Sequence, residues 1–112
     1  MVYDVYISDK AENDLADIYD YYSTEFSEES AKKVLKSIQE NILRLEMSAE
    51  GYASLDGKIG RQLLPEGTVR MIPDKRHLVF YLVRGQRVDV LRIRGARTDY
   101  LNNLENLFKN II

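Results

Sequence analysis

Arginines crowd one short stretch of this chain. In VLRIRGARTDY, Val90 to Tyr100, three of them, Arg92, Arg94 and Arg97, fall within six positions. Arginine is permanently charged and presents a rigid fork of donors that matches a phosphate or carboxylate. The stretch reads as the end of a buried strand opening into a helix. The forks are therefore expected at a strand-to-helix junction, on a surface suited to an anionic partner. Arg92 has a second reading, an ion pair with an aspartate or glutamate of the first helix. Arg84 and Arg87 flank a turn and read as solvated.

The other residues able to do chemistry are few. His77 is the sole histidine, and the chain has no cysteine. A lone histidine does not make a metal site, and no metal or other cofactor is expected. His77 either reaches the open face of the sheet as a catalytic group or is an exposed or half-packed strand residue. Tyr19, Tyr21 and Tyr22 could form a stacking platform for bases. However, Tyr19 and Tyr22 fall on an apolar helical stripe and read as core, whereas Tyr21 lies off it.

The elements that must position these residues follow from periodicity. Val2 to Ile7 is β-prone and reads as a first strand. Ser8 stands at an N-cap, with Asp9 and Glu12 in the first turn. Ala11, Leu15, Ile18, Tyr19, Tyr22 and Phe26 then trace one helical face. Ser27 is a second cap, followed by Glu28 and Glu29, and Ala31, Val34, Leu35, Ile38, Ile42 and Leu45 repeat the helical period. The short link between the two predicts an antiparallel helical hairpin. Ser48 to Gly67 lacks a clear period and reads as a long connection with one helical turn.

Three strands follow, over Thr68 to Ile72, Arg76 to Arg84 and Arg87 to Arg94. Pro73, Asp74 and Lys75 are expected to form the first turn, and Gly85 with Gln86 the second. LVFYLV, within the middle strand, is apolar on both faces and predicts a strand covered on both sides. Thr98 is placed to cap a final helix with Leu101, Leu104, Phe108 and Ile111 on one stripe. Its apolar tail, NLFKNII, would dock on the sheet or on a partner. The expected order is β-α-α-β-β-β-α. This is an α+β fold in which an antiparallel meander packs against the N-terminal hairpin.

Composition narrows the class. The chain has 112 residues, 45% hydrophobic and 30% charged, so one globular domain over residues 1–112 is expected. The opening MVYDVYISDK, with Asp4 and no apolar run, does not read as a secretory leader, and no stretch approaches membrane-spanning length. The absence of cysteine fits a cytoplasmic location. The net charge of −2 conceals an asymmetry. Met1 to Asp56 carries 5 basic and 13 acidic residues, and Gly57 to Ile112 carries 11 basic and 5 acidic. The asymmetry reads either as a solvated acidic helical surface beside an ordinary basic sheet edge or as a basic face that engages an acidic partner, without bulk affinity for nucleic acid.

Three segments in this order resemble the RelE/ParE superfamily of bacterial type II toxins: YISDKAENDLADIYDYYSTEF (Tyr6 to Phe26), RHLVFYLV (Arg76 to Val83) and VDVLRIRGARTDY (Val88 to Tyr100). The long helical hairpin is closer to the ParE branch. The resemblance implies a growth-inhibiting toxin, of the kind tied to plasmid stabilisation, held inactive by a cognate antitoxin and meeting operator DNA only through it. ParE-like members poison DNA gyrase. RelE-like members are metal-independent endoribonucleases that cut mRNA in the ribosome.

The resemblance also points to residues. Arg70 and Arg97 match the family's sheet and C-terminal arginines, and with Arg94 they would bind the target or an anion. As a nuclease, the chain would use Arg70 or Arg97 as the cation and Tyr100 as a proton donor. A phenol with an ordinary pKa of ~10 is a poor base at neutral pH, and packing is the other reading of Tyr100. Many members carry histidine where this chain has Gly95. Lys58 and Arg61 lie near the place where nuclease relatives present basic residues. The missing imidazole, the long hairpin and the acidic balance point to a gyrase inhibitor. The alternatives are the ribosome-dependent nuclease and an inactive toxin kept as an antitoxin-binding corepressor.

Overall fold

A computed structural model describes residues 2–97 and 99–109. Strand β1 (Asp4–Ile7) leads into helix α1 (Asp9–Glu25). Ser8 caps this helix by accepting from the Ala11 N–H at 3.1 Å. Phe26 and Ser27 make the link to α2 (Glu28–Ser48), where Ser27 accepts from the Ser30 N–H at 3.0 Å. Both caps stand where the sequence places them, because a serine oxygen satisfies one of the orphan N–H groups of a first turn. No helix among the described residues is long and apolar enough to cross a membrane.

The meander forms as expected from β3 (Thr68–Asp74), β4 (His77–Arg84) and β5 (Arg87–Gly95). Two strands, β1 and a short β2 (Ala53–Ser54), extend it into a five-stranded mixed sheet of order β1-β5-β4-β3-β2. β1 joins in parallel, with Asp4 opposite Arg87 and Ile7 opposite Val90. At the other edge lies β2 (Ala53–Ser54), inside the stretch expected to be a connection, paired with Met71 and Arg70. That stretch also contains a 3₁₀ turn (Ala49–Gly51) and a short helix α3 (Leu55–Ile59). Leu55 is fully buried, and the Asp56 carboxylate accepts from the Leu63 and Val69 N–H groups, so the segment is fastened to the sheet.

Two further boundaries differ from the sequence reading. Pro73 and Asp74 belong to β3, and the turn is Lys75–Arg76, with Lys75 at φ 51°. Proline is tolerated there because β2 pairs only with Arg70 and Met71, leaving that side of β3 unpaired at Pro73. Asp74 is drawn inward by two donors from α2, Ser37 Oγ at 2.6 Å and Asn41 Nδ2. The single C-terminal helix is instead a 3₁₀ turn (Tyr100–Asn102) followed by α4 (Leu104–Phe108). Asp99 takes up the side chains of Asn102 and Asn103, local bonds that compete with a continuous helical ladder. Leu101 is exposed, and Leu107 with Phe108 does the packing. The expected cap Thr98 and stripe residue Ile111 lie outside the described residues.

The sheet divides the core in two. The hairpin side contains Leu15, Ile38, Ile42, Leu45, Val79, Tyr81, Val90 and Ile93. The opposite side contains Leu55, Val69, Phe80, Leu82, Leu91, Leu107 and Phe108. β4 is thus buried on both faces. A bulge on β5 sets the phase, because Phe80 pairs with Arg92 while Tyr81 pairs with Val90, leaving Leu91 as the extra residue. Strict alternation from Val88 and Val90 would place Arg92 and Arg94 under the hairpin. The bulge turns them to the other face and admits Ile93 instead.

Candidate functional site

The candidate residues occupy three separate places. Arg70 lies on the hairpin side of the sheet, and its Nη1 donates to the Tyr52 carbonyl at 2.7 Å. Its Nε is buried without a hydrogen-bond partner among the described residues. Arg70 pairs with Tyr81, four residues along β4 from His77, a separation of ~13 Å at strand spacing. The Tyr81 hydroxyl donates to the Ala49 carbonyl at 2.6 Å, and burial pushes its pKa above the ordinary tyrosine range, with Arg70 opposing. Arg70 thus sits among groups that bind the end of α2 to the sheet.

Arg94 and Tyr100 lie on the opposite face. They line a hollow of about 390 Å³ with Arg92, Asn103, Asn106 and Leu107. The Tyr100 ring packs on Phe80 at 5.3 Å between centroids, and its hydroxyl accepts from Lys58 Nζ at 3.0 Å. Tyr100 therefore serves packing and also holds a lysine. Lys58, on α3, is thereby held against Tyr100, with its Nζ 5.6 Å from the ring centroid.

Arg92 closes on α1. Its Nε donates to Asp14 Oδ2 at 2.8 Å and its Nη2 to Asp14 Oδ1 at 3.1 Å, while Nη1 reaches the Leu107 carbonyl at 3.1 Å. Asp14 also accepts from the Ile93 N–H at 2.9 Å, and Ser8 Oγ donates to the Leu91 carbonyl at 3.0 Å. Where β1 stops, α1 takes over the edge of β5 and satisfies its backbone groups through side chains. This is the ion pair with the first helix foreseen from sequence. Arg84 and Arg87, read as solvated, keep exposed side chains and also share Asp89 at 3.1 and 3.0 Å, and Arg87 lies over the Tyr6 ring.

Arg97 stands at the end of the hairpin. A cleft of about 700 Å³ is bounded there by Tyr21, Tyr22, Lys75, Arg76, His77, Gly95, Ala96 and Arg97. The Ala96 N–H donates to the Arg76 carbonyl at 2.7 Å, fixing the exit of β5 against the β3–β4 turn. Tyr22 stacks on Phe26 at 5.6 Å and meets Tyr21 edge-on at 5.1 Å. Tyr19 and Tyr22, read as core, are only half-buried, because the hairpin outruns the sheet at this end.

His77 neither reaches the open face nor stands exposed. It is buried, edge-on to Tyr22 at 5.9 Å, because odd-numbered residues of β4 face the hairpin. Burial lowers its pKa below the ordinary histidine value. Arg76 acts in the same direction, and Asp74 opposes. The imidazole is therefore neutral at neutral pH. In sequence, Tyr21 and Tyr22 read only as a platform for bases or as core, and Lys75 only as a turn residue; that they share a cleft with Arg97 depends on contacts between the far end of α1 and the β3–β4 turn.

Among the described residues, no group of three or more His, Cys, Asp or Glu is placed to hold a metal ion. A comparison with curated proteins found no match. Among solved structures, a chain of the chromosomal ParDE TA system from P. aeruginosa is similar. It is 25% identical with a TM-score of 0.68, over 84% of this chain and 96% of that one. The family model for the ParE toxin of the type II toxin-antitoxin system, parDE, matches residues 5–100. With its helical hairpin, mixed sheet and C-terminal helix, the chain belongs to the ParE family of type II toxin-antitoxin toxins.

Proposed function

We propose that this toxin acts in the cytoplasm by binding and inhibiting DNA gyrase and is neutralised by a cognate antitoxin. The observation that carries this reading is the separation of the candidate residues. Cleavage of RNA by internal attack needs a base, a cation and an acid converging on one phosphate. Arg70 is bound to a backbone carbonyl under the hairpin, Tyr100 lies on the opposite face, and Arg97 is at the sheet's end. The sole histidine is buried, and position 95 is glycine. A protein-binding toxin needs no such convergence.

The antitoxin segment is assigned to the groove between β1 and α2, about 520 Å³, lined by Val2, Tyr6, Ile42, Leu43 and others. Leu43 and Met47 are more than 60% exposed beside it, and a segment that folds on binding needs such apolar area to offset its ordering. Asp4 and Glu46 on its rim favour an apolar rather than an acidic stretch there. Operator DNA is met through the antitoxin.

Supercoiling by purified gyrase tests the reading. Inhibition by folded toxin, relieved by antitoxin, is expected; undiminished supercoiling at micromolar toxin refutes it. The ribosome-dependent nuclease keeps one supporting observation, the hollow that Arg94 and Tyr100 line on the face away from the hairpin. Transcript cleavage within codons on expression, abolished by Arg94→Ala or Arg97→Ala, would establish it instead. Growth arrest on expression without antitoxin excludes an inactive corepressor.

A further inference from the structure

The positive charge of the sheet is neutralised unevenly. Arg84 and Arg87 share Asp89, and Arg92 is closed on Asp14. Lys75, Arg76 and Arg97 are all exposed, line one cleft, and form no ion pair with a described residue. Across from them stand Tyr22 and Tyr21, the latter 56% exposed, backed by Phe26 at 60%. Three free cations facing an exposed aromatic wall combine charge recognition with the rigid amphipathic contact surface that anchors protein interfaces.

We propose that this cleft docks an acidic, extended segment of a folded protein target, with carboxylates on Lys75, Arg76 and Arg97 and an apolar side chain against Tyr21 and Tyr22. The proposal rests on the reading of the chain as a toxin that acts by binding a protein, and it names the surface and the chemistry.

Charge distribution selects a peptide over nucleic acid. A duplex carries one charge per ~1.7 Å and cannot leave that charge behind where it exits the cleft. The surrounding hairpin end carries Asp20 and Glu25, with Glu28 and Glu29 paired to Lys32 and Lys33, so it adds no free positive charge for a continuous polyanion to follow. A peptide carries charge only where its sequence puts it. The target is favoured over the antitoxin because the cleft offers charge rather than broad apolar area. Charge speeds and orients the encounter with a partner already folded, whereas a segment that must fold needs the apolar groove at β1 and α2.

The test is fluorescence anisotropy on the purified chain, with a short labelled peptide of glutamates around a central tyrosine and an oligothymidylate of equal length. The peptide should bind, weaken with salt, and outcompete the oligonucleotide. Arg76→Glu with Arg97→Glu should weaken it by roughly tenfold or more, while Lys36→Glu with Arg61→Glu, an equal change in net charge, should not. Tyr21→Ala, an exposed change that spares the fold, should weaken the peptide without altering its salt slope. Tighter oligonucleotide binding, or indifference to the Arg76 and Arg97 reversals, overturns the proposal. Antitoxin co-purification should survive the reversals, and its loss would give the cleft to the antitoxin and also overturn it. A toxin that passes the peptide tests but leaves gyrase supercoiling intact refutes the gyrase reading and leaves the docking site standing.

Discussion

Replacing Asp14 with alanine tests whether α1 and β5 are joined as described. The carboxylate accepts three bonds, two from the Arg92 guanidinium and one from the Ile93 N–H. The side chains of Arg92 and Asp14 are 15% and 8% exposed, so neither charge is well solvated. Truncation strands the guanidinium with only the Leu107 carbonyl and orphans a backbone donor on a strand edge. Removing one partner of a buried pair costs about 3–5 kcal/mol, and the surviving Leu107 bond places this case at the lower end, about 3 kcal/mol. Asp14→Asn keeps an acceptor for Ile93 and should cost about half as much. Urea unfolding followed by circular dichroism reads both through the midpoint at constant slope. The melting temperature of Asp14→Ala should fall by roughly 10 °C. A double-mutant cycle with Arg92→Met should return a coupling of about 2 kcal/mol. A coupling under about 0.5 kcal/mol would show that the pair is not formed in solution and would return Arg92 to the candidate functional residues.

Other expectations follow from single contacts. Tyr81→Phe leaves the buried Ala49 carbonyl without its hydroxyl donor and should cost about 1–2 kcal/mol in urea unfolding; a neutral result would mean water or another donor serves that carbonyl. Ser8→Ala should cost more than Ser27→Ala, about 2 against about 1 kcal/mol, because Ser8 both caps α1 and donates to Leu91, and equal costs would deny the second role. Gly67→Ala drives a Cβ into the Val83 carbonyl oxygen and should destabilise by about 1–3 kcal/mol, checked by the shift in melting temperature. His77, the sole histidine, should titrate below the free value of ~6.5 by proton NMR. The unfolded chain then binds the proton first, so His77 contributes no pH dependence well above that value and stability falls as pH drops through it toward the folded pKa. A midpoint above ~6.5 would mean that Asp74, not burial, governs the ring.

Local chemistry was readable because it depends on near neighbours. Ser8 and Ser27 cap helices wherever an apolar 3.6-residue period follows them, and Gly85 takes φ 60° in the turn expected of it. The two-sided burial of LVFYLV follows from having no polar face to turn outward. Misplaced boundaries came from distant partners. Pro73 and Asp74 look like a turn until Ser37 and Asn41, more than thirty residues earlier, supply donors that hold Asp74 inside. The Ser48 to Gly67 stretch has no period because its short pieces are each fixed by contacts with β3 rather than by their own pattern.

The sequence by itself determined the hairpin, the meander and the family, since periodicity, caps and motif order are properties of contiguous residues. Only the tertiary structure decided which arginines are free. One bulged residue, Leu91, sends Arg92 and Arg94 to the face away from the hairpin. Asp14 then neutralises the first, and the fold leaves Arg97 beside Lys75, Arg76 and two tyrosines from the far end of α1. Whether a guanidinium is paired depends on which carboxylate the fold brings within about 4 Å, and spacing along the chain does not encode that distance.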